Sequence, residues 1–346
     1  MTSLAGKDVL VTGGCGSIGS HLVEEILKQD PSVVRVLDNN EEGLFELQNE
    51  LGEDNSVRYL LGDVRDQDRL ELAMENIDVV FHAAALKHVS INEYNPFETV
   101  QTNVQGTQNL IRAALETEVG SFVTVSTDKS SNPTSVMGAT KLLSERLTIA
   151  ANAYKGDRET KFGCVRFGNV LGSSGSVVPL FLQQIKDGGP VTVTNPEMTR
   201  FIMPIEEASA LVLEAHERMT SGEVFVLKMP SFEVGTLADG MVEEYAPRIG
   251  QSPEEIDIEI MGSRPGERMH EKLVSVDESV QARELDDMYV ILPQIDVPGY
   301  DSVNYADAEL VDDEYTSKDA QRLSKNELID LIESASLDVE MPDMVC

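Results

Sequence analysis

Along the first half of the chain, short apolar runs rich in Val, Ile and Leu alternate with longer stretches whose apolar positions recur every three or four residues. The runs at Asp8–Thr12, Val33–Leu37, Val57–Leu61, Val79–Phe81, Phe122–Val125 and Phe162–Arg166 predict strands. Their apolar character is nearly unbroken, as expected of strands covered on both faces. Ser17–Gln29, Glu42–Leu51, Gln67–Glu75, Phe97–Glu116 and Val136–Tyr154 predict helices. Strands and helices alternating at this spacing specify an α/β fold built on a doubly wound parallel sheet.

After Arg166 the rhythm loosens. A polar loop at Gly172–Ser176 leads to a helix at Val177–Asp187 and a short strand at Val191–Thr194. A helix at Glu206–Met219 and a strand at Val224–Leu227 return to the sheet. A further helix from about Leu237 and a strand at Ile256–Ile260 predict a smaller lobe whose segments interleave with the sheet. The expected division is residues 1–168 with 200–228 returning to them, a lobe of 169–199 and 229–300, and an acidic tail of 301–346 with a last helix at Ser324–Ser334.

Between the first strand and the first helix stands Thr12-Gly13-Gly14-Cys15-Gly16-Ser17-Ile18-Gly19. In that setting one glycine permits the tight turn, one lets backbone approach a pyrophosphate and one lets the helix pack on the sheet. The helix N-terminus then offers N–H groups and a positive dipole end to phosphate. Gly13, Gly16, Ser17, Ile18 and Gly19 are the expected dinucleotide contacts. Asp38 ends the second strand, where a carboxylate accepts from ribose hydroxyls and repels a 2′-phosphate, so NAD is favoured over NADP. Cys15 is expected to fill a tight turn rather than serve as a redox thiol.

The fifth strand runs into Ser126-Thr127-Asp128-Lys129, so hydroxyls and charges emerge at a strand's carboxyl end. Open α/β sheets bind ligands at that edge. Ten residues on, Met137-Gly138-Ala139-Thr140-Lys141 opens a helix on which Met137 and Lys141 share a face. The arrangement resembles the extended short-chain dehydrogenase/reductase superfamily, whose helix carries Tyr-x-x-x-Lys and whose fold is Rossmann-like. Met137 stands here at the tyrosine position. Ser126–Lys129, Asn132-Pro133 and Val136–Lys141 resemble one branch in particular, the nucleotide-sugar 4,6-dehydratases of polysaccharide biosynthesis, some of which carry the same methionine. The resemblance implies that Asp63 and Val64 meet the adenine, that Ala83, Ala84 and Ala85 lie along the cofactor, and that Lys141 holds the nicotinamide ribose. Asn103 matches a position that is structural in the superfamily.

Arg166-Phe167-Gly168-Asn169-Val170-Leu171-Gly172, Met198-Thr199-Arg200-Phe201 and Ser263-Arg264-Pro265-Gly266-Glu267 complete the resemblance, which covers about Lys7 to Lys272. It implies that Asn169 touches substrate, that Arg200 and Arg264 meet its phosphates, and that Lys87 and Glu267 belong to the substrate site. Guanidinium forks match phosphate oxygens. The implied reaction is loss of water across C5 and C6 of a UDP-hexose, with UDP-N-acetylglucosamine the expected substrate. Lys129 would remove the C5 proton and Asp128 protonate the departing hydroxyl. Thr127 or Asp128 would take the 4-hydroxyl proton, because a thioether cannot. Two other readings stay open. One is a UDP-sugar 4-epimerase, which needs no such acid–base pair; the other is a non-catalytic NAD-binding regulator that lost its tyrosine.

Composition narrows the partners. Acidic residues number 61 against 27 basic, a formal net charge of -34. Such a surface repels nucleic acid and anionic membrane, and neither is expected as a partner. Self-repulsion of this size suits a salt-rich, halophilic cytosol. No stretch reaches the roughly 18 apolar residues of a membrane span. The chain start lacks a signal-peptide pattern, and Cys15, Cys164 and Cys346 lie far apart with no metal-ligand spacing. A cytoplasmic protein without a metal is expected. It is expected to be a homo-oligomer, since the superfamily pairs the helices predicted at Phe97–Glu116 and Val136–Tyr154 across a dimer.

Overall fold

The computed structural model describes residues 4–173, 175–262 and 266–335. It contains two compact units: Met1–Phe167 with Glu206–Lys228 and Leu273–Glu314, and Gly168–Ile205 with Met229–Lys272 and Tyr315–Cys346.

In the first unit, β1 (Asp8–Thr12), β2 (Val33–Asp38), β3 (Val57–Leu61), β4 (Val79–His82), β5 (Ser121–Thr127) and β6 (Lys161–Phe167) lie parallel in the order β3-β2-β1-β4-β5-β6. The order reverses between β1 and β4, the switch point where such sheets bind ligands. Apolar side chains fill most of their interior positions: Val9, Leu10, Val11, Val34, Val36, Phe81, Phe122 and Phe162 are buried. The rings of Phe122 and Phe162 pack at 5.6 Å on adjacent strands. Helices α1 (Ser17–Leu27), α2 (Glu41–Leu51) and α3 (Gln67–Met74) follow the first three strands. Asn40 and Asp66 cap α2 and α3 by accepting from Gly43 N and Arg69 N. These side chains satisfy N–H groups that no helical carbonyl reaches.

The helix expected at Phe97–Glu116 forms without interruption from Pro96 to Glu116, but it winds wider in its middle. The chain forms α4 (Val89–Tyr94), α5 (Pro96–Thr99), a π-helical turn at Val100–Gln105 and α6 (Gly106–Glu116). Pro96 opens a new helix because it fixes φ and lacks an N–H. The wide turn carries Asn103, 1% exposed, whose side chain accepts from Leu86 N at 2.8 Å and donates to Leu86 O and Thr140 Oγ1, each at 3.1 Å. The helix α7 (Val136–Tyr154) forms as expected.

The segment 273–300, expected in the lobe, instead extends the large sheet. Val224–Leu227 joins β6 in parallel, and Met288–Ile291, Ala282–Glu284 and Glu309–Leu310 then add in antiparallel order. These strands span two to four residues amid Asp and Glu, too few for a period to stand out.

The second unit holds a small sheet of Ser231–Glu233, Thr199–Met203 and Asn169–Val170, and a pair of Val191–Val193 with Ile258–Ile260. Its core gathers Phe181, Leu182, Met198, Phe232, Leu237 and Met241. Residues 301–335 are not one solvated tail: Ser324 and Glu327 form a capping box on the helix Lys325–Ser334, which buries Leu328 and Ile332 in that core.

Candidate active site

The glycine turn after β1 is shaped by close backbone approach. Gly13 has φ +69° and sits where a Cβ would lie 2.5 Å from Ala84 N. A Cβ on Gly19 would lie 2.1 Å from Gly13 O, so α1 packs directly on the turn. Gly16 caps α1 without a side-chain hydrogen bond, and no acidic residue stands in the helix's first turn. Ser17 and Ile18 open the helix there. A turn this tight against Ala83 and Ala84, with Ala85 next in the chain, and ending on a helix N-terminus, fits a pyrophosphate.

Asp38, at the end of β2, accepts from Cys15 N through Oδ2 and from Asn40 N through Oδ1, each at 3.0 Å. Two such bonds leave lone pairs for ribose hydroxyls. Burial first, and then Asp38, pushes the Cys15 thiol up to about 12, which disfavours the thiolate at neutral pH. Asp63 is engaged by Arg65, whose Nη2 donates to Oδ2 at 2.6 Å and whose Nε donates at 3.0 Å. Hydrogen bonding from Arg65 lowers the Asp63 carboxyl despite its partial burial. Val64 beside it is buried, and Gly106 leaves it room, since a Cβ there would lie 2.6 Å from Val64 Cγ2.

At the end of β5 the chain turns once through Asp128–Ser130. Thr127 Oγ1 donates to Asp128 Oδ1 at 2.7 Å, and Lys129 Nζ donates to both carboxylate oxygens at 3.0 and 3.2 Å. Asp128 is fully buried, whereas the Lys129 side chain is 28% exposed. Gly138 brings α7 against this turn: a Cβ there would lie 2.4 Å from Lys129 O. Ser135 caps α7 by accepting from Gly138 N. Met137 and Lys141 are both buried on α7. Lys141 Nζ donates to Val125 O at 2.6 Å, and burial lowers its pKa to about 8. His82 on β4 lies between Thr12 Oγ1 at 2.8 Å and Thr107 Oγ1 at 3.0 Å. Burial brings it down to about 3, so it stays neutral. Ser126 Oγ, next to Thr127, is buried with no hydrogen-bond partner among the described residues.

Thr127, Asp128, Lys129, Met137 and Lys141 are thus brought together within the first unit. Lys87 follows β4 in the same unit and is exposed. Asn169, Arg200 and Glu267 belong to the second unit, and Arg264 lies outside the described residues. Arg200 donates to Thr199 O at 2.8 Å and Arg268 O at 3.0 Å, and its Nε stands 3.7 Å from Glu271 Oε1. Sequence reasoning placed Arg166 only in a motif. The structure finds it 1% exposed between Glu145 and Glu278. An arginine inside an otherwise apolar strand was the available signal, because such a charge is not buried unpaired.

Comparison with known proteins adds the following. The family model described as Polysaccharide biosynthesis protein matches residues 9–293. An uncharacterized membrane protein of Methanocaldococcus jannaschii is 53% identical over 95% of this chain and 96% of its own length. Among the described residues, no helix here is long and apolar enough to cross a membrane. A UDP-N-acetylglucosamine 4,6-dehydratase (inverting) of Campylobacter jejuni is 40% identical over 84% of each chain. A UDP-glucose 4-epimerase of Rickettsia canadensis is 36% identical over 94% of this chain and 95% of its own. Among solved structures, Pen from Bacillus thuringiensis superposes with a TM-score of 0.90 at 44% identity, covering 97% of this chain and 99% of that one.

Proposed function

Because the chain belongs to the polysaccharide biosynthesis protein family, we propose that it is an NAD-dependent UDP-sugar 4,6-dehydratase acting on UDP-N-acetylglucosamine for glycan assembly. The observation that carries this reading is the hydrogen-bonded chain from Thr127 through Asp128 to Lys129. It unites a hydroxyl, an acid and an amine at a strand end, on the sheet edge that also carries the glycine turn.

Gly13, Gly16, Ser17, Ile18, Gly19, Asp38, Asp63, Val64, the alanines 83–85 and Lys141 would hold NAD. Bound there, NAD supplies reversible oxidation, taking two electrons at C4 of the sugar and returning them at C6. Thr127 already donates to Asp128, so the 4-hydroxyl proton passes through it to that carboxylate. Asp128 then gives this proton to the departing C6 hydroxyl, which leaves as water. Lys129 takes the C5 proton and later returns it to carbon. The balance closes with Asp128 ionised and Lys129 neutral at both ends of the cycle. Because Lys129 begins paired with Asp128 and is 28% exposed, the scheme includes a preparatory step in which Lys129 loses one proton to solvent before elimination. Met137 takes no proton in this scheme. Removing such an acid or base costs about 10²–10⁴-fold in rate. The substrate-binding roles of Lys87, Asn169, Arg200, Arg264 and Glu267 belong to the same proposal, as does assembly as a homo-oligomer, supported by the exposed Tyr94 and Phe97.

The similarity to a UDP-glucose 4-epimerase favours a second reading, 4-epimerisation on the same fold. Mass spectrometry of UDP-N-acetylglucosamine incubated with the protein separates the two. Loss of one water is expected, and a product of unchanged mass assigns the epimerase.

A further inference from the structure

Behind the Asp128–Lys129 turn lies a buried charge bridge that the scheme above does not use. Arg166, at the end of β6, donates from Nη2 to Glu145 Oε2 at 2.6 Å and from Nε to Glu145 Oε1 at 3.1 Å. Its Nη2 also donates to Glu278 Oε1 at 2.9 Å, and its Nη1 to Glu278 Oε2 at 3.0 Å. Nη1 donates further to Leu273 O at 2.7 Å. The bridge carries one positive and two negative groups in a space that excludes water. Burial raises the Glu278 carboxyl, but Arg166 more than offsets this and takes it down to about 2. A buried ion pair adds little to stability compared with apolar side chains of the same volume. Its fixed forks do impose direction on whatever hangs from them.

Two serines of the catalytic turn hang from it. The Ser130 hydroxyl lies 2.6 Å from both Glu145 Oε1 and Thr127 O, and shares its hydrogen between them. Ser131 Oγ donates to Glu278 Oε2 at 3.3 Å. The turn closes through the backbone bond from Ser131 N to Asp128 O at 3.2 Å. The two serine hydroxyls tie that turn to a rigid, buried group. Resting on the dehydratase reading, we infer that Glu145, Arg166 and Glu278 are positioning residues, which lock the Asp128–Lys129 turn through Ser130 and Ser131 and thereby set the rate of proton transfer.

The test compares wild type, E145Q, R166K, S130A, S131A and the double variant E145Q with S130A, using full-length protein saturated with NAD and UDP-N-acetylglucosamine. E145Q should lower kcat by about 10- to 100-fold, the cost of misplacing an acid–base pair, with KM little changed. The double variant should fall no further than the worse single one. Amide hydrogen exchange across residues 127–131 should quicken in E145Q and S130A, while exchange in β1 and β4 stays slow. A folded E145Q with wild-type kcat and unchanged exchange in the turn overturns the inference. So do losses from E145Q and S130A that multiply. If E145Q and R166K fail to fold, S130A and S131A decide alone, because both leave the bridge intact. Wild type that releases no water from the sugar nucleotide overturns the dehydratase reading instead, and the exchange data then still judge the turn.

Discussion

The glycine turn after β1 and the charged turn after β5 stand at the same edge of one sheet, yet they are built in opposite ways. The first is a matter of shape. Gly13 and Gly19 sit where backbone atoms leave no room for a Cβ, and hydrogen bonds from Cys15 N and Asn40 N hold the nearest carboxylate, Asp38. The second is a matter of charge. Asp128, Lys129 and Lys141, with Arg166, Glu145 and Glu278 behind them, are ionisable groups taken wholly or partly out of water. The first should therefore tolerate changes of pH and salt but no added methyl group. The second should respond above all to changes of charge. Binding a cofactor through its whole cycle calls for the former, and moving protons for the latter.

The largest expected effect falls on the first turn. G13A places a Cβ 2.5 Å from Ala84 N and 2.6 Å from Ala84 Cα at φ +69°. Both neighbours are backbone and cannot swing aside. Left-handed backbone alone costs about 1–2 kcal/mol for a residue with a Cβ, and the overlap adds to it. Calorimetry should find no NAD binding by G13A, along with a lower melting temperature. Undiminished NAD affinity would show that shape does not govern this turn.

The difference also explains what the sequence disclosed. The glycine turn and the Ser126–Lys129 strand end are local, and each announces its chemistry within eight residues or fewer. The places of the first six strands along the chain and their parallel sheet followed from the same local alternation. The bridge under the charged turn is not local. Arg166 lies 21 residues from Glu145 and 112 from Glu278, and only the folded sheet brings the three together. Likewise the π-helical turn at Val100–Gln105 exists because Asn103 answers Leu86 and Thr140, contacts no helical period encodes. The strands Ala282–Glu284 and Met288–Ile291 owe their form to pairing beyond Val224–Leu227.

On the charged turn, D128N keeps size and shape and removes only the ionisable group. A loss of about 10²–10⁴-fold in dehydration is expected, with NAD binding intact because the glycine turn is untouched. Turnover equal to wild type would remove Asp128 from the reaction, and retained 4-epimerisation would assign the protein to the rival activity. A parallel loss of NAD binding would dissolve the separation of the two turns.

The smallest effect is the most exacting, because its sign runs against intuition. Lys141 is buried, and its pKa falls from 10.5 to about 8. The folded state thus binds this proton less readily than the unfolded chain does. At pH 7 both states are protonated, and the folded protein bears the full cost of a buried ammonium, about 3 kcal/mol at about 1.4 kcal/mol per pKa unit. The hydrogen bond to Val125 O offsets about 1–2 kcal/mol of it. K141M should therefore be more stable than wild type at pH 7, by about 1–2 kcal/mol in urea unfolding, while losing activity. As pH rises from about 8 to 10.5, wild type gains stability that the variant does not, so the advantage shrinks through that window and is gone above it. A K141M protein that is less stable at pH 7, or whose difference from wild type ignores pH, would mean that Lys141 packs as an ordinary side chain. The charged turn would then be governed by shape, as the glycine turn is.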